Sequence, residues 1–302
     1  MQSKTFVMRY LDPKNDLTFK KVFGQHPHLC RSLLNALLPL PEGTHIEQLE
    51  YLPAELVPAV PLMKNSIVDV RCVDNFGRQF IVEMQMFWTD SFKQRVLFNA
   101  SKAYVKQLDK GQEYNLLQPV YALSLVDDVF DDDKNIFYHH YQIVNIDNPK
   151  KQLVGLEFVF VELPKFKAES ISEKKLQVLW LRYLTEIKDG SSEVDKELME
   201  NVEIREAIEC LQESAFNKGE MEYYDRYWDH VRIERTLMVD MEEMGLKKGL
   251  VKGREEGIKE GAYLERRKIA SNAIKSGIKD EIVCQLTGFT MEEIDRIKKE
   301  NV

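Results

Sequence analysis

No stretch of this 302-residue chain approaches the roughly 18 consecutive apolar residues of a membrane-spanning helix. Its first residues carry no apolar signal core. Both absences point to a cytoplasmic protein with no membrane partner. Cysteine is scarce: Cys30, Cys72, Cys210 and Cys284 lie scattered, with no Cys-x-x-Cys spacing. A disulfide framework is thereby excluded, and a structural zinc is argued against. Six histidines include the adjacent pair His139-His140, but strand neighbours point to opposite faces and do not share a metal.

Net positive charge is missing too, since the chain carries −8. For a nucleic-acid partner the distribution matters more than the sum. Residues 1–118 hold 14 basic and 12 acidic side chains, and residues 245–302 hold 13 and 10. The excess of acid lies between them, where 119–244 balance at −13. Both outer segments are mildly basic, which permits contact with nucleic acid. Hydrophobic content of 44% and charged content of 30% describe an ordinary globular protein with a sizeable core.

What is present is a hairpin with unusual charge placement. Ile67–Asp74 and Arg78–Met86 are rich in β-branched and aromatic residues, and Asn75-Phe76-Gly77 joins them. A three-residue loop with glycine in the left-handed position pairs Asp74 with Arg78, and across that ladder the position numbers sum to 152. Asp69 then lies opposite Glu83, and Gln85 shares the face of Glu83. Like charges directly opposite are destabilising, more so among Val70, Ile81 and Val82. A divalent cation would remove that penalty; the alternative is a merely solvated hairpin face.

Around the hairpin the pattern reads helix, hairpin, helix, strands. Asp16 is expected to cap a helix bearing Phe19, Val22 and Phe23 that Gly24 ends. A second helix follows Pro27 and stops at Pro39. Proline-rich 53–61 reads as an extended loop. Ser91 opens a helix to about Leu108 with Val96, Leu97, Ala100, Tyr104 and Leu108 as its apolar side. Gln118–Val126, Ile136–Val144 and Val154–Glu162 alternate as strands. The fold class is α/β, a mixed sheet flanked by helices.

Three stretches carry a family resemblance. They are Tyr10–Gly24, containing Asp12-Pro13-Lys14-Asn15-Asp16 and Phe19-Lys20-Lys21; the hairpin, with Val68-Asp69-Val70 and Val82-Glu83-Met84-Gln85; and Gly111–Val120, running into a strand. In this order and spacing they resemble the recombination-promoting nuclease (Rpn)/putative transposase family of the PD-(D/E)XK nuclease superfamily. The resemblance implies a restriction-endonuclease-like core and a Mg²⁺- (or Mn²⁺-) dependent DNA endonuclease linked to recombination or mobile elements. It implies catalysis by Asp69, Glu83 and Gln85, with metal held by Asp69 and Glu83 and Asp16 as an auxiliary ligand. Double-stranded DNA is the expected partner, with Lys20, Gln94 and Arg95 as candidate contacts. Gln85 stands where the superfamily carries Lys, so Gln85→Lys is expected to be tolerated. The alternative is a degenerate nuclease fold acting as a DNA-binding or oligomerisation module.

The nuclease-like domain is expected over 1–168, a helical region over 169–244 and a tail over 245–302. Ser172 is expected to cap a helix with Leu176, Leu179, Trp180, Tyr183 and Leu184, followed by helical stretches at 193–216 and 218–244. In the tail, Gly245, Gly249, Gly253, Gly257 and Gly261 recur every fourth residue among Lys and Glu. Each glycine costs a helix interior about 1 kcal/mol. This segment is either a solvated helical linker or a face for close helix approach in a homo-oligomer. Thr290-Met291-Glu292-Glu293 is a capping box after Gly288, within a helix-turn-helix-like outline.

Overall fold

The computed structural model describes residues 9–56, 66–168 and 175–300. Two helices open the fold, α1 (Asp16–Phe23) and α2 (Pro27–Leu37). Asn15, not Asp16, caps α1: its side chain accepts from the Leu17 N–H. Asn and Asp cap equally well, so local chemistry did not separate the two neighbours. Gly24 ends α1 as expected.

Strands β1 (Leu49–Tyr51), β4 (Val70–Asp74), β5 (Gln79–Gln85), β6 (Val120–Val126), β7 (Tyr138–Asn145) and β8 (Asn148–Glu162) form one mixed sheet in the order β1-β4-β5-β6-β8-β7. Two short strands, β2 (Glu55–Leu56) and β3 (Ser66–Ile67), pair separately. Residues 57–61 of the proline-rich segment and the Ser172 cap lie outside the described residues. The β4–β5 hairpin has the expected register, with Val70 opposite Val82 and Val73 opposite Gln79. Its turn is locked by Asp74, whose carboxylate accepts from the Phe76 and Arg78 N–H groups and from Arg78 Nε at 2.7 Å. Gly77 supplies the left-handed φ of +82°.

β5, β6 and β8 run parallel, and every residue of β6 is buried. A strand flanked by parallel neighbours and covered on both faces reads this way. Helix α3 (Asp90–Val105) joins β5 to β6 and buries Phe92, Val96, Ala100 and Ala103 against Ala122, Val126 and Phe160. It starts behind the Thr89 cap rather than at Ser91, and Leu97, expected in its apolar face, is 45% exposed.

A helical layer of α2, α4 (Lys175–Glu186), α5 (Lys196–Glu200) and α6 (Val202–Glu209) packs with α1. Its centre is aromatic: the Phe23 ring lies 5.4 Å from Trp180, and Trp180 lies 5.5 Å from Tyr183. Trp180 is fully buried, and its indole N–H donates to Ser32 Oγ. At the end of β8, buried Glu162 accepts from the Phe130 and Asp131 N–H groups and pairs with His139 and Lys165.

Helix α7 runs unbroken from Lys218 to Lys275, through the glycine period where a new segment was expected to begin. The chain divides into two compact units, 1–231 and 232–302. In the second, α8 (Asp280–Thr287) and α9 (Met291–Glu300) pack on the end of α7 around Ala270, Val283, Phe289, Ile294 and Ile297. Gly288 ends α8 with φ +71°, and the Thr290–Glu293 capping box forms as expected.

Trp180→Ala is expected to cost about 3–5 kcal/mol of stability, the range for a buried aromatic, measured by urea denaturation. Burial by itself would raise the Glu162 carboxyl, but hydrogen bonds from Lys165, Phe130, Asp131 and His139 outweigh it and hold the group below its ordinary 4.5. Its stabilisation is therefore complete above pH 4.5 and lost as pH falls through the depressed value. Glu162→Gln should lower the urea midpoint at pH 7, with the deficit shrinking in acid.

Candidate active site

The carboxyl ends of β5, β6 and β8 lie at the same end of the sheet. In open α/β sheets ligands collect at such ends. A cleft of about 970 Å³ opens there, and its lining includes Lys20, Asp69, Glu83, Gln85, Gln94 and Arg95. Six of the seven residues anticipated from sequence thus share one cavity. The seventh, Asp16, stands directly behind Lys20.

β4 begins at Val70, so Asp69 leaves the ladder one residue before it would pair with Glu83. Its side chain takes over the missing contact: Asp69 Oδ2 accepts from the Met84 N–H at 2.8 Å. Its other oxygen, Oδ1, lies 3.8 Å from Lys20 Nζ. Glu83 follows the same plan. Oε1 accepts from Asn99 Nδ2 at 3.0 Å, and Oε2 lies 3.8 Å from Arg95 Nη2. Each carboxylate is anchored through one oxygen and leaves the other only loosely engaged.

Both groups are electrostatically uncomfortable. Burial raises the Asp69 carboxyl above its ordinary range, against the lowering effects of the Met84 N–H and Lys20, while Asp16 adds to the rise. Burial likewise raises Glu83, partly offset by Arg95 and Asn99, and the charge of Asp69 raises it further. The charge of Asp69 is thus felt at Glu83, as the smallest of the causes acting there.

Lys20 bridges acidic neighbours, with Nζ 2.6 Å from Asp16 Oδ1. Although its burial opposes charging, Asp16 and Asp69 raise its pKa, so its ammonium is secure at neutral pH. Asp16 accepts a second hydrogen bond, from Tyr223 OH at 2.8 Å. Among the described residues no three His, Cys, Asp or Glu side chains are arranged to hold a metal. Asp16 is engaged by Lys20 and Tyr223.

Gln85 has a task of its own. Nε2 donates to the Phe87 carbonyl, and Oε1 accepts from Arg95 Nη2 at 2.7 Å. A lysine there would face Arg95 cation to cation. Gln94 and Arg95 project from the first turns of α3 into the cleft, and Arg95 keeps half its side chain exposed.

Sequence reasoning missed four supports. Lys14, partly buried, pairs with Asp127 at 3.0 Å, and the Asp127 N–H donates to the Gln85 carbonyl. This ties the opening Asp12-Pro13-Lys14 segment to the strand end that carries Gln85. Asp12 is pushed up to about 6 by burial, despite Lys14 beside it. Asn99 anchors Glu83 while its own Oδ1 is buried without a partner. Tyr223 of α7 donates to Asp16 of α1, and Tyr224 OH accepts from the Asp12 N–H in the segment before that helix. The adjacent tyrosines were the only signal, and nothing local tied them to residues 200 positions away.

The order of these parts is matched by a family model, PD-(D/E)XK nuclease family transposase, over residues 13–233. The chain belongs to this family. No curated protein and no solved structure matches it. The PD-(D/E)XK match takes in the sheet, the cleft and Tyr223, and stops beside the junction of the two compact units. No helix among the described residues is long and apolar enough to cross a membrane.

The donor set fits the divalent ion that PD-(D/E)XK chemistry requires. Asp69 and Glu83 offer hard oxygen ligands only, with one lightly held oxygen each. Magnesium keeps several waters and needs no more than one or two carboxylates. Each carboxyl is raised, so its ionised form costs stability above the raised pKa, and the cost disappears as pH falls below the ordinary value. In EDTA at pH 8, Asp69→Asn and Glu83→Gln should melt at or above the wild type, and the gap should close towards pH 4. Adding Mg²⁺ should raise the melting temperature of the wild type and leave both variants unmoved.

Proposed function

We propose that this protein is a divalent-metal-dependent DNA endonuclease that hydrolyses phosphodiester bonds in double-stranded DNA, in the service of recombination or mobile elements. The observation that carries this reading is the pair Asp69 and Glu83, desolvated in one cleft with one lightly held oxygen each and a charged Lys20 beside them. Mg²⁺ or Mn²⁺ held by that pair supplies Lewis-acid stabilisation of charge on the phosphoryl oxygens.

The chain's own residues do the rest. Lys20 sets an ammonium next to Asp69, in the role left vacant by Gln85. Gln85 can neither deprotonate water nor carry charge, but it holds Arg95 by a 2.7 Å hydrogen bond. Arg95, half exposed and planar, can take two oxygens of a phosphate at once. Gln94 adds a neutral hydrogen-bond donor on the same rim. Asp16 and Tyr223 fix the Lys20 side chain from behind, so its charge meets substrate without reorganisation. Self-assembly belongs to the C-terminal helices.

One observation favours a second reading. Gln85 is engaged by Phe87 and Arg95 and brings no cation of its own, as in a degenerate nuclease fold that only binds DNA or oligomerises. Incubating supercoiled plasmid with the protein separates the two. Nicking with Mg²⁺ and none in EDTA is expected for the enzyme. Asp69→Ala, Glu83→Ala and Lys20→Ala should each slow nicking by about 10²-fold or more while still binding DNA. Gln85→Lys should also lose activity, because it sets a second cation against Arg95. Binding without metal-dependent nicking would establish the degenerate form.

A further inference from the structure

Between Asp90 and Asp109, across α3 and just beyond it, every charged side chain is a cation: Lys93, Arg95, Lys102 and Lys106. Arg95, Lys102 and Lys106 stand at i, i+7 and i+11, which sets them along one side of the helix over roughly 16 Å. Lys102 and Lys106 lie four apart and repel one another, a cost that a nearby anion removes. In a chain of net charge −8 such a run suits an extended anion better than a single ion. It begins at the rim of the cleft, where Arg95 stands.

Apolar side chains interrupt this cationic side at the cleft itself. Phe98 follows Arg95 by three residues, and with Leu97 and with Ile67 of β3 it lines the same cavity as Asp69 and Glu83. Phe98 is 43% exposed and Ile67 68%. The core contacts of α3 come from Phe92, Val96, Ala100 and Ala103 on its other side, so Phe98 is not needed to seat the helix. Lys102 Nζ stands 5.6 Å from the centre of the Phe98 ring, which keeps the ring inside the cationic line. An intact duplex offers a helix laid beside its backbone only phosphates and sugars, because base faces are closed within the stack. A ring set among phosphate-binding cations meets an apolar partner when a base leaves that stack. The cleft, about 970 Å³, has the size of a pocket that encloses a small organic molecule.

We infer that Phe98, Leu97 and Ile67 form a wall that receives an unpaired nucleobase beside the phosphate bound at Arg95, so that the cleft selects DNA whose strands are locally opened. The inference rests on the nuclease reading and names its substrate class. Phe98 supplies the face on which the base stacks, and Leu97 and Ile67 shield it from water. Lys102 and Lys106 carry the backbone of the same strand onward along α3. Every base has a π-face, so such a wall discriminates structure and not sequence. Mismatched or looped DNA is favoured because its opening has already been accomplished before binding.

The test titrates full-length protein in EDTA with two fluorescein-labelled duplexes, one fully paired and one identical but for a central run of mismatches. By anisotropy the mismatched duplex should bind about tenfold tighter. Phe98→Ala should abolish that preference, Phe98→Leu should lose most of it, and Phe98→Trp should keep it, all with native circular dichroism. Lys102→Ala/Lys106→Ala should weaken both duplexes together and flatten the dependence of affinity on salt. Equal affinity of the wild type for the two duplexes would overturn the inference, as would a preference that survives in folded Phe98→Ala or Phe98→Leu. Nicking of supercoiled plasmid with Mg²⁺ reports separately on the nuclease reading. Nicking without a preference for the mismatched duplex leaves the enzyme standing and removes the base wall. A Phe98-dependent preference without nicking keeps the wall and removes the enzyme.

Discussion

The site depends on two carboxylates held where water cannot fully solvate them. Asp69 and Glu83 sit at one end of the sheet, each anchored by a neutral hydrogen-bond donor through one oxygen. Neutral donors fix geometry without cancelling charge, so the cost of burial stays in the folded protein. Lys20 and Arg95 lie 3.8 Å from the second oxygens, beyond hydrogen-bond distance. The surrounding structure is well packed, in the buried strand β6 and in the aromatic cluster of Phe23, Trp180 and Tyr183 in the helical layer.

Lys20 shows how the rest of unit 1 serves that arrangement. Its ammonium reaches the cleft from α1 and is held by Asp16, which is held in turn by Tyr223 of α7. The Lys14–Asp127 pair joins the opening segment to the end of β6. Elements distant in sequence thus converge on one positive charge.

Much of this was legible in the sequence, for identifiable reasons. The β4–β5 register followed from the length of the turn and the left-handed position of Gly77, which leave little freedom. The mixed sheet with flanking helices followed from the sequence of periodicities, and the family match agrees with the resemblance. Failures arose where tertiary structure overrode a local rule. Asn15 displaced Asp16 as cap because Asp16 is drawn to Lys20 and Tyr223. Asp69 stepped off the ladder because its carboxylate replaces a backbone acceptor for Met84. Leu97 faces the cleft, not the core, because Asn99 is drawn inward to Glu83. The continuity of α7 was hidden by its glycines, which local propensity reads as breaks.

The sheet's wiring has a consequence for how the chain folds. Its central pairings, β5 with β6 and β6 with β8, are parallel and bring together segments separated by a helix or a long hairpin. Contacts of that kind form late, after loop closure has been overcome. The β4–β5 hairpin is local, and elements of its size close in microseconds. The strand that carries Glu83, with Asp69 at its partner's edge, thus belongs to the earliest structure available to the sheet. The cost at Glu83 comes first from burial, and β6 beside its strand and Asn99 of α3 supply that enclosure. The desolvation penalty is therefore complete only once elements distant from the hairpin in sequence have packed against it.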